Sequence, residues 1–302
     1  MKILITGATG LVGRELISLF LKCNYEINFL TSSKLKTNSI PECKGYYWSP
    51  NKGYVEQGAL DQVDAIINLA GASVSKRWTT AYKNKILKSR IDSLNTLYKL
   101  LESSSHQVKH LITASATGIY PHSFSEVYDE KSESIGNGFL AQVVSQWETS
   151  ANKFKSLDVT VSCIRIGLVM SNKGGVLPKL ISPVKFNLGS AIGSGKQMQS
   201  WIHIEDLASI FEWALKNKFS GVINGTAPHP VNQKEFTLIL SQIMGKRVFL
   251  PPVPQWVLKL LLGEMHLLLF DSQHVIPQTL LLNDFKFKYP ELKSALIQLL
   301  KN

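Results

Sequence analysis

Cysteine is scarce in this chain: Cys23, Cys43 and Cys163 are the only three in 302 residues, far apart and never in C-x-x-C spacing. That excludes a disulfide framework, argues against a zinc site and fits a reducing compartment. Long apolar runs are missing too. The most apolar stretch, 257–270, is broken by Lys259, Glu264 and His266 and is too short to span a bilayer, so no membrane partner is expected. Acidic residues are outnumbered, 22 against 33 Lys and Arg, for a net charge of +11. The lysines are scattered, with no basic run interleaved with aromatics, which argues against nucleic acid and leaves acidic small molecules as partners. No G-x-S-x-G, H-E-x-x-H or P-loop pattern occurs, and there is no internal repeat or low-complexity linker. A core strand begins at the second residue, so no leader is expected and the location is read as cytoplasmic.

What is present starts at once. The apolar run Lys2-Ile3-Leu4-Ile5 leads into Thr6-Gly7-Ala8-Thr9-Gly10-Leu11-Val12-Gly13 and then the helical pattern from Arg14 to Phe20. Strand, glycine loop and amphipathic helix in this order form a dinucleotide-binding turn. Gly7 permits the tight turn, Gly10 lets backbone approach a pyrophosphate, and Gly13 lets helix pack on strand. The anion then rests on free N–H groups of the loop and the first helical turn, at Thr9, Leu11 and Val12. Further strands are expected at 26–31, 63–71, 110–115, 159–166 and 222–224, and helices at 80–103, 139–154 and up to about Lys216. This alternation predicts an α/β, Rossmann-type doubly wound parallel sheet of about seven strands. From Ser171 glycines and prolines break up any long element, as in loops that cover a site. The expected organisation is a nucleotide-binding domain over 1–170, completed by about 201–226, and a smaller, mostly helical C-terminal lobe within 171–302.

In such a fold the second strand ends beside the adenosine ribose, where NAD enzymes place a carboxylate. Here that end reads Thr31-Ser32-Ser33-Lys34-Leu35-Lys36, without an acid. Hydroxyls at Thr31 and Ser32 with lysines beyond them, and Arg14 just past the glycine loop, suit a 2′-phosphate, so NADP is favoured over NAD.

The glycine spacing G-x-x-G-x-x-G and the segment Asn68-Leu69-Ala70-Gly71 resemble the extended short-chain dehydrogenase/reductase superfamily. More closely, the chain resembles its atypical epimerase-family branch, whose members carry the label nucleotide-sugar epimerase or, in some cases, cell-division inhibitor. The stretches that carry this resemblance include Lys76-Arg77-Trp78, Ser89-Arg90-Ile91, Trp147-Glu148, Arg165-Ile166-Gly167-Leu168-Val169 and Trp201-Ile202-His203-Ile204. Towards the C-terminus, Leu262-Gly263-Glu264-Met265 and Phe285-Lys286-Phe287-Lys288-Tyr289-Pro290 resemble that branch's module of unassigned function, DUF1731. The resemblance implies cofactor contacts from Leu69, Ala70 and Gly71 on the adenosine side, from Arg90, and from Val169 on the nicotinamide side. It implies a small-molecule substrate, with sugar nucleotides among the candidates, and the homodimer common in extended members.

The catalytic machinery does not carry over. Superfamily enzymes use a Tyr-x-x-x-Lys pair about two dozen residues past a strand-end Ser or Thr, the tyrosine exchanging a proton and the lysine lowering its pKa. Counting from Ser115, that position reads Phe139-Leu140-Ala141-Gln142-Val143. Neither side chain carries an exchangeable proton, so the catalytic residues stay unassigned. Candidate substitutes are Ser115 at a strand end and Tyr120 five residues on, one or the other expected to point into a polar, ligand-sized cavity beside the nicotinamide if the protein is an enzyme. Glu148 is an unsupported candidate base. His203 with Asp206 reads as helix capping in preference to a metal or catalytic dyad, so no metal is expected. Two functions remain: an NADP-dependent oxidoreductase or epimerase-like enzyme with modified catalytic residues, and a non-catalytic NADP(H)-binding regulator or redox sensor acting through a partner.

Overall fold

The structure is a computed structural model, and it describes residues 1–301. Fourteen strands form among the described residues: β1 Lys2–Thr6, β2 Glu26–Thr31, β3 Cys43–Ser49, β4 Tyr54–Val55, β5 Ala65–Asn68, β6 His110–Ala116, β7 Val127–Tyr128, β8 Thr160–Ile166, β9 Leu168–Met170, β10 Met198–Gln199, β11 Trp201–His203, β12 Gly221–Gly225, β13 Val231–Asn232 and β14 His274–Val275. The α-helices are α1 Leu11–Lys22, α2 Thr80–Glu102, α3 Phe139–Asn152, α4 Leu177–Lys185, α5 Ile204–Lys216, α6 Gln233–Ile243, α7 Gln255–Leu262, α8 Leu267–Phe270, α9 Gln278–Leu282 and α10 Leu292–Lys301.

Eight strands make the main sheet in the order β12-β8-β6-β5-β1-β2-β3-β4, the first seven parallel and β4 antiparallel at the edge. Its central strands are covered on both faces, which is why Ile3-Leu4-Ile5, Ala65-Ile66-Ile67 and Leu111-Ile112 read as unbroken apolar runs. Helices α1 and α5 pack together, as do α2 and α3. The chain builds outwards from β1 through β2 to β3, then returns to β5 on the other side of β1. The carboxyl ends of β1 and β5 therefore flank the crevice where strand order reverses, the usual ligand position in open α/β sheets.

Strand β3, Cys-Lys-Gly-Tyr-Tyr-Trp-Ser, lacks the apolar run that reveals its neighbours. A side chain at Gly45 would clash with the Thr37 carbonyl oxygen. Helix α4 forms inside the glycine- and proline-rich stretch expected as loops; Pro178 sits in its first turn, where a missing N–H costs nothing, while Pro183 lies near its end.

Of the C-terminal helices, α9 and α10 belong to the same core. Leu292, Ala295, Leu296 and Leu299 line the inner face of α10 at helical spacing and pack towards α6, while α9 lies on β12. Buried acceptors tie this lobe to the sheet. Asp206 accepts the backbone N–H groups of Lys288 and Tyr289 at 2.8 and 2.9 Å, and Glu130 accepts those of Asn224 and Thr279 at 2.9 and 3.1 Å. His203 caps α5, its Nδ1 accepting from the Glu205 N–H, while its Nε2 lies 3.0 Å from Gln298 Oε1. Among the described residues no cluster of His, Cys, Asp and Glu could hold a metal ion, and no helix is long and apolar enough to cross a membrane.

Candidate functional site

The glycine loop is held by contacts that admit no side chain. Gly7 has φ +69°, and a Cβ there would sit 2.9 Å from the Leu69 carbonyl carbon and oxygen; one at Gly13 would clash with the Gly7 carbonyl oxygen. Thr6 joins the loop to its neighbour: its hydroxyl donates to Asn68 Oδ1 at 2.7 Å and accepts from the Leu69 and Ala70 N–H groups at 3.1 Å each. Asn68 in turn donates to Thr113 Oγ1. Leu69, Ala70 and Gly71 thus form the opposite lip of the crevice, fixed through backbone.

Helix α1 begins on Gly10 with no side-chain cap and no acid in its first turn, whereas α2, α5 and α6 are capped by Thr79, His203 and Asn232. The N–H groups of Leu11, Val12 and Gly13 cannot reach intrahelical acceptors. Beside them, Arg14 Nε donates to the Thr9 carbonyl at 3.1 Å. At the end of β2, Thr31 is buried and accepts the Ser33 N–H, Ser32 follows, and Lys34 sits 5.3 Å from the Tyr47 ring centroid.

Arg90 projects from α2 against Gly71, where an added Cβ would lie 3.1 Å from its Cζ. One Nη donates to the Ala72 and Ile86 carbonyls at 3.2 and 2.9 Å, and the guanidinium lies 4.8 Å from the Trp147 ring centroid. Among the described residues no carboxylate pairs with it. Burial without a counter-charge lowers its pKa to about 10. Val169, in β9, pairs with Ile202 of β11, and the Gly174–Gly175 turn that follows lies against Leu11. The structure therefore brings the residues expected around a dinucleotide to one crevice.

At the expected Tyr-Lys position α3 carries apolar packing. Phe139 meets Trp78 edge-on, with centroids 5.3 Å apart, and Val143 is buried with Trp78 and Ile86. Lys83 lies 5.1 Å from the Phe139 ring centroid and pairs with Glu264.

Ser115 and Tyr120 do not present free hydroxyls to a cavity, contrary to expectation. Ser115 is 3% exposed and donates to Glu148 Oε1 at 2.6 Å. Arg165 grips the same carboxylate through Nε and Nη2, both at 2.9 Å, and donates through Nη1 to the Tyr120 hydroxyl at 2.9 Å. The single Tyr120 proton is shared between the Asp129 carbonyl and Asn224 Oδ1, each 2.9 Å away. Burial raises the Tyr120 pKa despite the neighbouring Arg165, the wrong direction for a proton donor at neutral pH. Burial alone would lower the Arg165 pKa, yet the bonded Glu148 carboxylate carries it above the ordinary value. These four side chains lock β6, α3 and β8 together.

A cavity of about 470 Å³ opens at the carboxyl ends of β6 and β8. Ala116 and Thr117 line it at the strand end, Phe139 and Leu140 come from α3, and Leu268 and Asp271 from the C-terminal lobe. Sequence reasoning did not find Asp271 or its neighbour in the wall, His122. They are about 150 residues apart in the chain, and the short parallel pairing of β7 with β14 brings their segments together. Another concavity, beside Tyr98 and Lys153, lies where α2 and α3 end, at the edge of the sheet opposite the crevice.

Comparison with known proteins agrees with this geometry. Residues 3–227 match the model of the NAD dependent epimerase/dehydratase family, and residues 253–299 match DUF1731, a domain of unknown function. An epimerase family protein of Staphylococcus saprophyticus is 39% identical over 295 residues, covering 97% of each chain, and one of Staphylococcus aureus is 38% identical over 303 residues, covering 99% of this chain and 98% of the relative. The human epimerase family protein SDR39U1, solved with NADPH, superposes with a TM-score of 0.87 at 28% identity over the full length of both chains. A nucleoside-diphosphate sugar epimerase from Corynebacterium glutamicum superposes with a TM-score of 0.80 at 28% identity, covering 99% of this chain and 58% of its own.

Proposed function

This chain belongs to the NAD dependent epimerase/dehydratase family, and on that premise we propose that it binds NADP(H) in the crevice between β1 and β5 and acts as an oxidoreductase or epimerase-like enzyme on a small molecule. One observation carries the reading: the uncapped start of α1 follows a loop that touches Leu69, and the Arg90 guanidinium, without a carboxylate partner, lies against Gly71 of the same lip. Gly7, Thr9, Gly10, Leu11, Val12 and Gly13 would cradle the pyrophosphate. Thr31 and Ser32, with Arg14 and Lys34 nearby, would take the 2′-phosphate, a site without the carboxylate that would repel it. Leu69, Ala70, Gly71 and Arg90 would line the adenosine side, and Val169 the nicotinamide side. The cofactor, when bound, supplies hydride-transfer chemistry. The chain's own part is to orient the reactants at the strand ends and to exclude water with the C-terminal lobe. The human relative solved with NADPH supports this choice of dinucleotide.

Phe139 and Val143, packed where a Tyr-Lys pair would stand, favour a second reading: a non-catalytic NADP(H)-binding regulator. Calorimetric titration of the apo-protein with NADPH, NADP, NADH and NAD tests both. Tight binding selective for the phosphorylated pair is expected, and failure of all four to bind would overturn both readings. A metabolite that co-purifies and is turned over with NADP(H) would decide for the enzyme.

A further inference from the structure

The wall of the 470 Å³ cavity contains neither lysine nor arginine. Besides the Tyr120 ring, whose hydroxyl is engaged elsewhere, its ionisable groups are His122 and Asp271. Two cations on neighbouring segments lie outside the lining: Lys83, 5.1 Å from the Phe139 ring centroid, pairs with Glu264, and the Arg77 side chain lies 3.4 Å from where a Cβ at Gly263 would stand.

The Asp271 carboxylate has no hydrogen-bond partner among the described residues, its backbone N–H alone being used, by the Leu267 carbonyl. Burial raises its pKa, an effect that the nearby His122 and His266 oppose. His122 Nδ1 accepts the Ser272 N–H at 2.8 Å, so the neutral imidazole carries its proton on Nε2. Gln273 is occupied, donating to the Tyr120 carbonyl at 2.6 Å. Asp271 is therefore the one carboxylate of the cavity, unpaired, in a wall that also carries Trp78, Phe139, Leu140, Leu267 and Leu268.

We infer that the cavity takes a neutral or cationic ligand with an apolar body, whose hydrogen-bond donor meets Asp271, and that it rejects nucleoside diphosphates. A diphosphate would bring like charge to an unpaired carboxylate with no lysine or arginine in the wall to offset it. The inference rests on the cofactor reading, since the Gly167–Leu168 end of the cavity, next to Val169, is then left to the nicotinamide. It also separates this chain from the Corynebacterium glutamicum relative, a nucleoside-diphosphate sugar epimerase.

The test is calorimetry on protein saturated with NADPH, using three probes: 4-phenyl-2-butanone, 4-phenylbutylamine and UDP-glucose. The amine is expected to saturate, the ketone, which fills the apolar wall but offers Asp271 no donor, to saturate more weakly, and UDP-glucose to give no heat. Asp271→Asn is expected to weaken the amine about tenfold, the loss of one charge-assisted hydrogen bond, and to leave the ketone unchanged. If that variant does not fold, Leu268→Arg replaces it, and the planted charge is expected to weaken the amine. Saturation by UDP-glucose, silence from both apolar probes, or equal loss of ketone and amine in Asp271→Asn would each overturn the inference. Failure of the cofactor reading shows earlier and separately, as absence of heat with NADPH alone.

Discussion

Arg90 and Arg165 occupy matching settings with opposite outcomes. Each guanidinium stands about 5 Å from an aromatic ring, Trp147 for one and Tyr120 for the other, and each is withdrawn from solvent on the ligand-bearing side of the sheet. Arg165 is answered by a bidentate carboxylate and a phenol, so its charge is spent inside the protein. Arg90 is answered only by two backbone carbonyls, and its pKa falls. A residue type capable of chemistry marks a site only where the fold leaves it unsatisfied. By that criterion the polar groups of Ser115, Tyr120 and Glu148 are used within the fold, while Arg90 and Asp271 have no side-chain hydrogen-bond partner or salt bridge among the described residues.

The comparison breaks most visibly at Glu148. Glu148→Ala leaves the Arg165 charge buried and unpaired, and a loss of about 3–5 kcal/mol is expected in urea denaturation. Acid provides a control, because neither guanidinium changes charge between pH 4 and 7. Burial lowers the His110 pKa to about 4 from its ordinary 6.5, so its stabilising contribution is complete above pH 6.5 and is lost as pH falls towards 4. Complete loss corresponds to roughly 3 kcal/mol by linkage, and His110→Gln should flatten the stability curve over that window. Arg90→Met sharpens the contrast: NADPH binding is expected to weaken about 10- to 100-fold by calorimetry, with thermal stability unchanged or raised. The smallest effect is expected from Tyr120→Phe, about 1–2 kcal/mol of stability with NADPH affinity unaltered. If it abolished turnover of an identified substrate without destabilising the fold, Tyr120 would return to the mechanism.

Much of the sheet was legible because its central strands are sealed on both faces and so are written as apolar runs, as at 3–5, 65–67 and 111–112. The β1–loop–α1 unit was legible because close backbone approach demands glycine at 7 and 13. Strand β3 was not, since lysine, glycine and three aromatics carry neither an apolar run nor a clean alternation. The glycine-loop and Leu69–Gly71 residues do meet at one crevice. The side-chain directions at Ser115 and Tyr120 were hidden, because β6 ends in a tight turn over 117–119 that puts Ala116 and Thr117 on the cavity instead. Asp271 was beyond sequence reasoning, since the two-residue pairing that delivers it leaves no periodic signal.

Glu130 and Asp206, which moor the C-terminal lobe, hold the main-chain N–H groups of Thr279, Lys288 and Tyr289. A mooring of that kind is indifferent to most amino-acid replacement in the segment it holds, as long as the backbone path is kept. The wall this lobe lends to the cavity can thus change its side chains while the seat at 279 and 288–289 on the sheet stays fixed. A new ligand preference can arise there without renegotiating the dinucleotide crevice, because the part that varies and the part that anchors are chemically separate.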